Sequence, residues 1–440
     1  MCGIFSILNN KHGIDLIKSS FEKGSNRGPE KSSLKFIDER NLVLGFHRLA
    51  INGCKNNNSE QPIKINDCTL ICNGEIYNWK QLHKTLHIKN TTGSDCEIIL
   101  HLYQKYGIEY TLNILDGVFS FILFDDKDGT VYVSRDQFGV RPLFYTVIEH
   151  PGLIKTYSFM FSSEMKQLID FATVDSYIKQ FIPGSYSKFK IHPFPSQDSL
   201  LEAKWICEID QKPVTTTNYV VNKTILNDNM ARRLIKKSFE NAIIKRIDNT
   251  DREIGCLLSG GLDSSLVAAL VQKFSKKKIH TWSIGLPGSE DLKYAKKTAD
   301  FLGTIHHHIE VTEKEFIDSI DEVIYNIESY DTTTIRASVG NWLISKYIKK
   351  TNKNIKVIFN GDGSDELTGG YMYFHNAPDV LECDKECKRL LNHIHYFDVL
   401  RSDRSISSHG LEARTPFLDR EFVQSYLSIP ISFRHANLRR

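Results

Sequence analysis

The sequence lacks the features that would direct a protein to a membrane, to nucleic acid or to the secretory route. No apolar run approaches the roughly 20 residues that a helix needs to cross a bilayer. Basic residues number 56 and acidic residues 53, so the net charge of +3 gives no sign of a surface for nucleic acid or anionic lipid. Residues 1–5 contain no basic segment followed by a long apolar stretch, and we therefore expect no secretory signal.

Cysteine is present, but without the pattern of a disulfide framework. The nine cysteines are an odd number and are scattered along the chain. Cys383 and Cys387 have no second pair at the spacing of a zinc site. Together with the missing signal, this usage predicts a reducing, cytoplasmic setting.

The chain is long enough for two or three domains, at about 150 residues per domain. Residues 1–185 are predicted to be rich in strands with interspersed helices, which is typical of a layered α+β domain. The polar turn at 125–129 predicts a hairpin. Ser94 and Glu97 have the spacing of a capping box, which would begin a helix that ends at Gly107. The predicted strands are 41–46, 69–72, 118–124 and 130–134.

The pattern changes in the second half of the chain. Over residues 186–228 it weakens, with several prolines and the polar run 215–218, and we predict a crossover or linker there. Over residues 229–440 strands alternate with helices, which indicates an α/β domain built on a doubly wound parallel sheet. The predicted strands are 254–258, 279–284, 304–309 and 357–359, and the predicted helices include 230–247, 264–274 and 291–302.

A glycine-rich loop carries the signal for nucleotide binding. Residues 257–265 read Leu-Leu-Ser-Gly-Gly-Leu-Asp-Ser-Ser, between a predicted strand and a predicted helix. Gly260 and Gly261 permit a tight turn, and the free N–H groups at the start of the helix favour a phosphate. The side chains that could bind phosphate or its metal are the hydroxyls of Ser259, Ser264 and Ser265 and the carboxylate of Asp263.

This motif is more specific than an ordinary strand–turn–helix junction, which is the alternative interpretation. No lysine follows the glycines, so it is not the Gly-x-x-x-x-Gly-Lys-Ser/Thr loop. It resembles the pyrophosphate loop of enzymes that cleave ATP between the α- and β-phosphates. A second loop, 360–366, contains three carboxylates and follows the predicted strand at 357–359. Because ligands collect at the carboxyl ends of parallel strands, the two loops together predict an ATP–metal site.

A different chemistry is suggested at the start of the chain. Removal of Met1 would leave Cys2 with a thiol and a free α-amine, whose pKa near ~7.7–8.0 suits it to take the thiol proton. A nucleophile activated in this way can attack a side-chain amide and form an acyl-enzyme that water resolves. The alternative is an inert apolar cysteine, so the neighbouring motifs decide.

Five segments of the first half resemble the class II glutamine amidotransferases and follow the order of that family. They are 1–4, 26–29, 47–51, 73–78 and 93–95. The resemblance implies a glutaminase with the layered αββα fold of the N-terminal-nucleophile enzymes. It also implies that Cys2 is the nucleophile.

By the same resemblance, other residues would bind glutamine or stabilise the charge that develops during attack. Arg48 would bind the α-carboxylate as a bidentate guanidinium. Glu75 and Asp95 would hold the α-ammonium side. Asn73 and the Gly74 N–H would form the oxyanion hole. The alternative for any one of these residues is a surface turn or a salt bridge.

The second half distinguishes between amidotransferases. A class II glutaminase joined to Ser-Gly-Gly-Leu-Asp-Ser-Ser resembles the asparagine synthetase family, with further matches at 283–286, 291–292, 330–338 and 410–419. The resemblance implies that Mg²⁺-ATP adenylates aspartate and that ammonia, from glutamine or from solution, displaces AMP. The products would be asparagine, glutamate, AMP and pyrophosphate.

The resemblance also implies roles for residues of the synthetase half. The nucleotide contacts outside the glycine loop would be Leu258, Ile284, Asn360 and Gly361. Asp263 and Asp365 would be metal ligands, and Asp362 is the candidate catalytic carboxylate, one methylene shorter than the glutamate usual in the family. Candidate aspartate or phosphate contacts are Thr333, Thr334 and Arg336, with strand propensity as the alternative for the threonines.

The sequence departs from the family at its C-terminus. Family members usually continue past 410–419 into a segment with a lysine near the ATP phosphates, and we find no equivalent, so the synthetase domain is expected to be short. Loss of this cation would weaken transition-state stabilisation. Two alternatives stay open: a homologue with glutaminase activity only, and an idle paralogue that binds nucleotide or a partner. A homodimer, usual in the family, also stays open, and no nucleic-acid or membrane partner is expected.

Overall fold

The computed structural model describes residues 1–151, 156–192, 204–214 and 219–434. The chain divides into two compact units, Met1–Thr216 and Thr217–Arg440. Within the described ranges, no helix combines the length and the apolar character needed to span a membrane.

Strands dominate the first unit. They are β1 (Gly3–Leu8), β2 (Lys31–Ile37), β3 (Leu42–Arg48), β4 (Ile63–Ile65), β5 (Cys68–Ile76), β6 (Gly117–Asp125), β7 (Thr130–Arg135), β8 (Phe144–His150), β9 (Thr156–Ser162), β10 (Lys179–Gln180), β11 (Ser185–His192) and β12 (Lys204–Pro213). They form two six-stranded antiparallel sheets, ordered β10-β8-β9-β1-β3-β2 and β12-β11-β7-β6-β5-β4. The predicted strands at 41–46 and 69–72 and the predicted hairpin of β6 and β7 are confirmed.

One hydrophobic core of this unit lies between the two sheets. Successive strand residues point to opposite faces. Ile71 and Ile122 therefore pack against residues of the other sheet such as Leu44. Their neighbours Leu70 and Phe121 belong instead to a cluster formed with helices. Each central strand is thus apolar on both faces, which requires a further layer outside the sheets.

Helices provide those outer layers. They are α1 (Ile14–Glu22), α2 (Trp79–Leu86), α3 (Glu97–Tyr106) and α4 (Ile108–Ile114). Helix α1 packs on the sheet that contains β1, with the Phe21 ring 5.9 Å from the Phe5 ring. Residues of α2, α3 and α4 pack on β5 and β6. The predicted αββα layering is confirmed.

Helix α3 ends before Gly107 as predicted, but the predicted capping box at its start is wrong. The N-cap is Cys96, whose side chain makes no capping hydrogen bond. The Glu97 carboxylate accepts instead from the N–H groups of Thr91 and Thr92, at 3.0 and 2.6 Å. Glu97 therefore anchors the loop that precedes the helix.

The prediction of a crossover at 186–228 is wrong for residues 186–192 and 204–213, whereas residues 219–227 contain no helix or strand. Most of β11 and all of β12 lie within it, and these two strands pair with each other. β12 is an edge strand in which Trp205 is the one buried residue. Its sequence therefore lacks the alternation of apolar residues from which a strand is predicted. The polar run 215–218 lies outside the described residues.

The second unit alternates helices and strands. Its strands are β13 (Glu253–Leu257), β14 (His280–Gly285), β15 (Ile305–Glu310), β16 (Ile355–Phe359) and β17 (Glu412–Arg414). Its helices are α5 (Asp228–Ile247), α6 (Leu262–Phe274), α7 (Glu290–Leu302), α8 (Glu313–Asp318), α9 (Ile320–Ile327), α10 (Thr332–Thr351), α11 (Ser364–Thr368), α12 (Val380–His393), α13 (Asp398–Ser407), α14 (Arg420–Ser428) and α15 (Ile431–Arg434). The four strands predicted from the sequence are confirmed, and β17 is the one not anticipated.

These strands form a parallel sheet with the order β15-β14-β13-β16-β17. From β13 the chain builds outward through β14 and β15, then returns to the other side of β13 with β16. The direction of winding thus reverses between β13 and β16. Loops at such a switch point diverge and leave a crevice at the carboxyl ends of the strands. The two loops predicted to bind ATP follow these two strands.

Asp419 joins α14 to α5 in this unit. Its Oδ2 lies 2.6 Å from both Arg246 Nη1 and Lys245 Nζ, and its Oδ1 accepts from the Phe422 N–H at 3.0 Å. Burial by itself raises the pKa of Asp419, but the charges of Arg246 and Lys245 outweigh it and hold the pKa below its ordinary value. The carboxylate is therefore a buried counter-ion as well as a helix cap.

We predict that Asp419→Asn lowers the free energy of unfolding by about 3–5 kcal/mol, because it removes the carboxylate that pairs with the buried Arg246 and the partly buried Lys245. The depressed pKa makes this contribution fully present above about pH 4 and lost as the pH falls through the folded-state value. The difference between variant and parent should therefore shrink in acid. Urea unfolding at neutral and acidic pH measures it. Asp318→Asn, which breaks an exposed pair with Lys314, is the control, and equal small effects of both variants would contradict the assignment.

Candidate active sites

Cys2 lies at a pocket of the first unit. The residues that line the pocket include Arg48, Gly74, Glu75 and Asp95, all predicted to act on glutamine. They come from separate elements, since Cys2 precedes β1, Arg48 ends β3 and Glu75 lies near the end of β5. The Leu49 N–H donates to the Cys2 Sγ at 3.4 Å. Residues that are far apart in the sequence therefore lie together around the Cys2 thiol.

A buried ionic group holds the backbone of Cys2. Arg27 Nε donates to the Cys2 carbonyl at 2.8 Å, and its Nη1 lies 3.5 Å from Glu164 Oε1. Lys166 Nζ lies 2.6 Å from the other Glu164 oxygen. The sequence motif at 26–29 contains Arg27, but Glu164 and Lys166 carried no signal that sequence reasoning used. Met1 is buried in the structure, where it keeps the Cys2 nitrogen in a peptide bond.

Arg48 is held by the turn that follows its strand. Its Nη2 donates to the Gly53 carbonyl at 3.3 Å and to the Ser59 hydroxyl. Ser59 in turn donates to the same Gly53 carbonyl at 2.8 Å. The guanidinium is thus fixed on one side while it lines the pocket with Cys2.

The two acidic residues of the pocket are also fixed by neighbours. Asp95 Oδ2 accepts from the Ile76 N–H at 2.6 Å, and Glu75 Oε2 accepts from the Asn52 amide at 2.7 Å. Glu97 anchors the loop that carries Asp95. Burial alone would raise the pKa of Glu97, but hydrogen bonds from His101 and from the loop lower it to about 2, so it stays charged.

Asn73 differs from these residues because its side chain has no hydrogen-bond partner among the described residues. It is 1% exposed, and neither its amide nitrogen nor its amide oxygen is satisfied within the described part of the chain. A buried polar group in this state is costly, at about 1–3 kcal/mol. The residues that line the pocket include Gly74 but not Asn73, so the role of the Asn73 amide in an oxyanion hole stays a prediction.

In the second unit, the Ser-Gly-Gly-Leu-Asp-Ser-Ser loop leads from β13 into α6. Ser259 Oγ and Ser264 Oγ lie 2.9 Å apart, and the Gly261 N–H donates to Ser259 Oγ at 3.3 Å. The Ser265 hydroxyl is buried and has no hydrogen-bond partner in the described ranges. Gly260 has a φ of +85°, and a side chain there would lie 2.6 Å from the Ala295 nitrogen. The loop is therefore tight, hydroxyl-rich and open to a phosphate at the start of α6.

The second acidic loop contacts the first. A Cβ at Gly361 would lie 3.1 Å from the Asp263 Cβ and 3.2 Å from the Ser264 nitrogen. Burial raises the pKa of Asp365, and the charges of Asp263, Asp398 and Asp362 raise it further. The carboxylates of the two loops therefore lie close enough to repel each other, an arrangement that a cation would relieve.

Asp362 is paired with a cation that the sequence did not suggest. Arg401 Nη2 on α13 lies 3.4 Å from Asp362 Oδ1 and 2.8 Å from Asp398. Asn360 Nδ2 donates to Asp362 Oδ2 at 2.8 Å. Burial raises the pKa of Asp362, Arg401 opposes this and Asp398 adds to it. The Asp-x-x-Arg spacing of Asp398 and Arg401 on one helix was the signal available in the sequence.

Glu366 and Tyr371 lie beside Asp398, close to Asp362. The sequence did not indicate that they form a pair. The Tyr371 hydroxyl donates to Glu366 Oε1. Burial, with the charge of Asp398 next in size, raises the pKa of Glu366 to about 8. These effects favour the protonated form of Glu366.

The remaining predicted contacts lie on neighbouring elements. Leu258 is buried and continues the sheet by donating its N–H to the Trp282 carbonyl at 2.8 Å. Ile284 lies near the end of β14, 3.8 Å from the position of a Cβ at Gly340 on α10. Thr333, Thr334 and Arg336 lie in the first turns of α10, which Asp331 caps by accepting from the Thr334 N–H. Strand propensity was thus the wrong alternative for the threonines, and their contact with substrate stays a prediction.

Comparison with known proteins gives two family matches. A glutamine amidotransferase domain model matches residues 1–220, and an asparagine synthase model matches residues 234–386 and 378–440. The glutamine-hydrolysing asparagine synthetase of Gallus gallus is 40% identical over 447 residues, covering 99% of this chain and 78% of that protein. Those of Rattus norvegicus and Homo sapiens are 41% and 40% identical over 448 residues, with the same two coverages.

We predict that Gly260→Ala abolishes nucleotide binding at the glycine loop. The substitution combines a disfavoured positive φ with a clash against the backbone of α7. Calorimetry with ATP measures the loss. Gly303→Ala is the matched control, since Gly303 also has a positive φ of +67° but nothing within 4 Å of the added Cβ. Equal ATP affinity in the two variants would contradict the role given to the loop.

Proposed function

This chain belongs to the glutamine-hydrolysing asparagine synthetase family, and we propose that it uses ATP to make asparagine from aspartate, with glutamine or ammonia as the nitrogen donor. The observation that carries the proposal is the convergence of Cys2, Arg48, Glu75 and Asp95 on one pocket. Such a set provides a nucleophile, a carboxylate receptor and acidic groups for an ammonium, which together fit a free α-amino acid with a reactive side chain.

In the first half-reaction, the Cys2 thiol attacks the side-chain amide of glutamine. Removal of Met1 is required, because the activating base is the freed α-amine. Arg27 holds the Cys2 backbone, Arg48 binds the α-carboxylate of glutamine, and Glu75 and Asp95 hold its α-ammonium group. The Asn73 amide and the Gly74 N–H stabilise the oxyanion. Ammonia leaves, and water releases glutamate from the acyl-enzyme.

In the second half-reaction, the β-carboxylate of aspartate attacks the α-phosphate of ATP and releases pyrophosphate. The serines and backbone N–H groups of residues 259–265 bind the phosphates, while Leu258, Ile284, Asn360 and Gly361 contact the rest of the nucleotide. Thr333, Thr334 and Arg336 orient aspartate or phosphate, and Asp362 serves as the catalytic carboxylate. Ammonia then displaces AMP from the activated carboxyl group.

Asp263 and Asp365, one from each of the two loops, are suitable ligands for magnesium. The described residues contain no cluster of three or more His, Cys, Asp or Glu side chains arranged for a metal. Mg²⁺ bound with a nucleotide needs only one or two carboxylates in addition to phosphate oxygens and water. Asp263 and Asp365 would supply them, and the ion would neutralise phosphate charge.

The setting and assembly of the protein are part of the same proposal. None of the nine cysteines forms a disulfide in the structure, which suits a reducing, cytoplasmic compartment. A homodimer rests on the family resemblance alone. Small molecules are the expected partners.

The test supplies aspartate and Mg-ATP with either glutamine or ammonium, and measures glutamate, pyrophosphate and asparagine. Asparagine from both nitrogen donors supports the ligase. Glutamate without asparagine would favour the homologue with glutaminase activity only, and no product would favour the idle paralogue.

We predict that Cys2→Ala abolishes glutamine-dependent synthesis and leaves ammonium-dependent synthesis intact, because ammonium bypasses the thiol. The same assay, run on both donors, measures the effect. Loss of both activities would contradict two separable sites. Intact mass analysis provides a second check, since an active glutaminase that retains Met1 is incompatible with activation by the α-amine.

We predict that Asn73→Ala lowers kcat for glutamine hydrolysis by about 10²–10³, as expected for loss of one oxyanion-hole donor. Because the native amide is unsatisfied in the described structure, the variant should not lose stability through a broken hydrogen bond. Steady-state glutamate release and thermal unfolding measure the two effects. A variant with unchanged kcat would remove Asn73 from the mechanism.

A further inference from the structure

Asn52 is a pocket residue for which neither the sequence motifs nor the proposed mechanism provides a role. It lies four residues after Arg48 and lines the same pocket as Cys2, Glu75 and Asp95. Its Nδ2 donates to Glu75 Oε2 at 2.7 Å. The amide therefore contacts one of the carboxylates that the proposed function gives to the α-ammonium group of glutamine.

The backbone around Asn52 is fixed by a close approach between two loops. The next residue, Gly53, has a φ of +66°, and a Cβ there would lie 3.0 Å from the Gly93 carbonyl group. Gly93 belongs to the loop that carries Asp95, and the Gly53 carbonyl accepts the hydrogen bond from Arg48. The turn that carries Asn52 is thus held against both the Arg48 side chain and the Asp95 loop.

A carboxylate that binds an ammonium group must be held in one orientation, because a rotating side chain loses entropy when the substrate binds. Glu75 has three side-chain torsions, and the hydrogen bond from the Asn52 amide restricts the last of them. A hydrogen bond to a charged acceptor is stronger than one between neutral groups. It is therefore strong enough to decide the orientation of the carboxylate.

We propose that Asn52 is a positioning residue of the glutamine site, which holds Glu75 in the orientation that receives the α-ammonium group of the substrate. This inference rests on the proposed glutaminase function and adds to it a residue that acts through Glu75. Asn52 itself takes no part in the attack by Cys2.

The test compares glutamate release by the parent with that by Asn52→Ala and Asn52→Gln. The alanine variant should raise KM for glutamine about tenfold, the size expected from partial loss of one charged hydrogen bond, with a much smaller change in kcat. The glutamine variant keeps the amide on a longer side chain and should recover part of the affinity. Asn113→Ala, which removes an exposed amide that donates to the Glu109 carbonyl, is the matched control and should leave KM unchanged.

Two further measurements separate positioning from a general loss of structure. The rate at which iodoacetamide alkylates Cys2, followed by mass spectrometry of its peptide, should be the same in the parent and in Asn52→Ala, because this reagent has no ammonium group. In a Glu75→Ala background, Asn52→Ala should raise KM no further, because its target is gone. An additive increase in the double variant, or an unchanged KM in the single one, would overturn the inference. A parent that releases no glutamate would instead overturn the proposed function and this inference with it.

Discussion

Both candidate sites depend on how the protein compensates carboxylates that are buried or partly buried. A buried carboxylate is tolerated only where donors or cations compensate for the lost water. In the first unit Asp95 and Glu97 are met by backbone N–H groups, and Glu75 is met by the Asn52 amide. These bonds fix three loops around the Cys2 thiol. The rigidity of the pocket is thus a consequence of satisfying its charges.

In the second unit, several carboxylates lie together, and one arginine pairs with two of them. Asp362, Asp365, Glu366 and Asp398 lie together, and Arg401 pairs with Asp362 and Asp398. Burial, with the charge of Asp398 as a smaller cause, raises the pKa values of Asp362, Asp365 and Glu366. A bound cation would lower the electrostatic energy of this cluster. Groups with such shifted pKa values are common where chemistry takes place.

Much of both sites could be predicted from the sequence because the residues lie in short local motifs. The glycine loop between β13 and α6 is such a motif, and so are the segments around Arg48, Asn73 and Asp95. Misses occurred where the signal was not local. Glu164, Asp398 and Arg401 contribute through contacts with residues far along the chain. β12 is an exposed edge strand, and β17 has only three residues with two paired charges, so neither has the apolar alternation that identifies a strand.

The sequence by itself determined the two kinds of sheet, and its local motifs named the residues that are proposed to carry the chemistry. Periodicity and turn residues act over a few positions, and a motif is readable because its members are neighbours. Only the tertiary structure decided which charges pair, that the Asn73 side chain has no hydrogen-bond partner in the part of the chain described, and that Asn52 reaches Glu75. Those outcomes depend on strand order and on the packing of loops from distant parts of the chain, where a hydrogen bond forms or fails within a few tenths of an ångström.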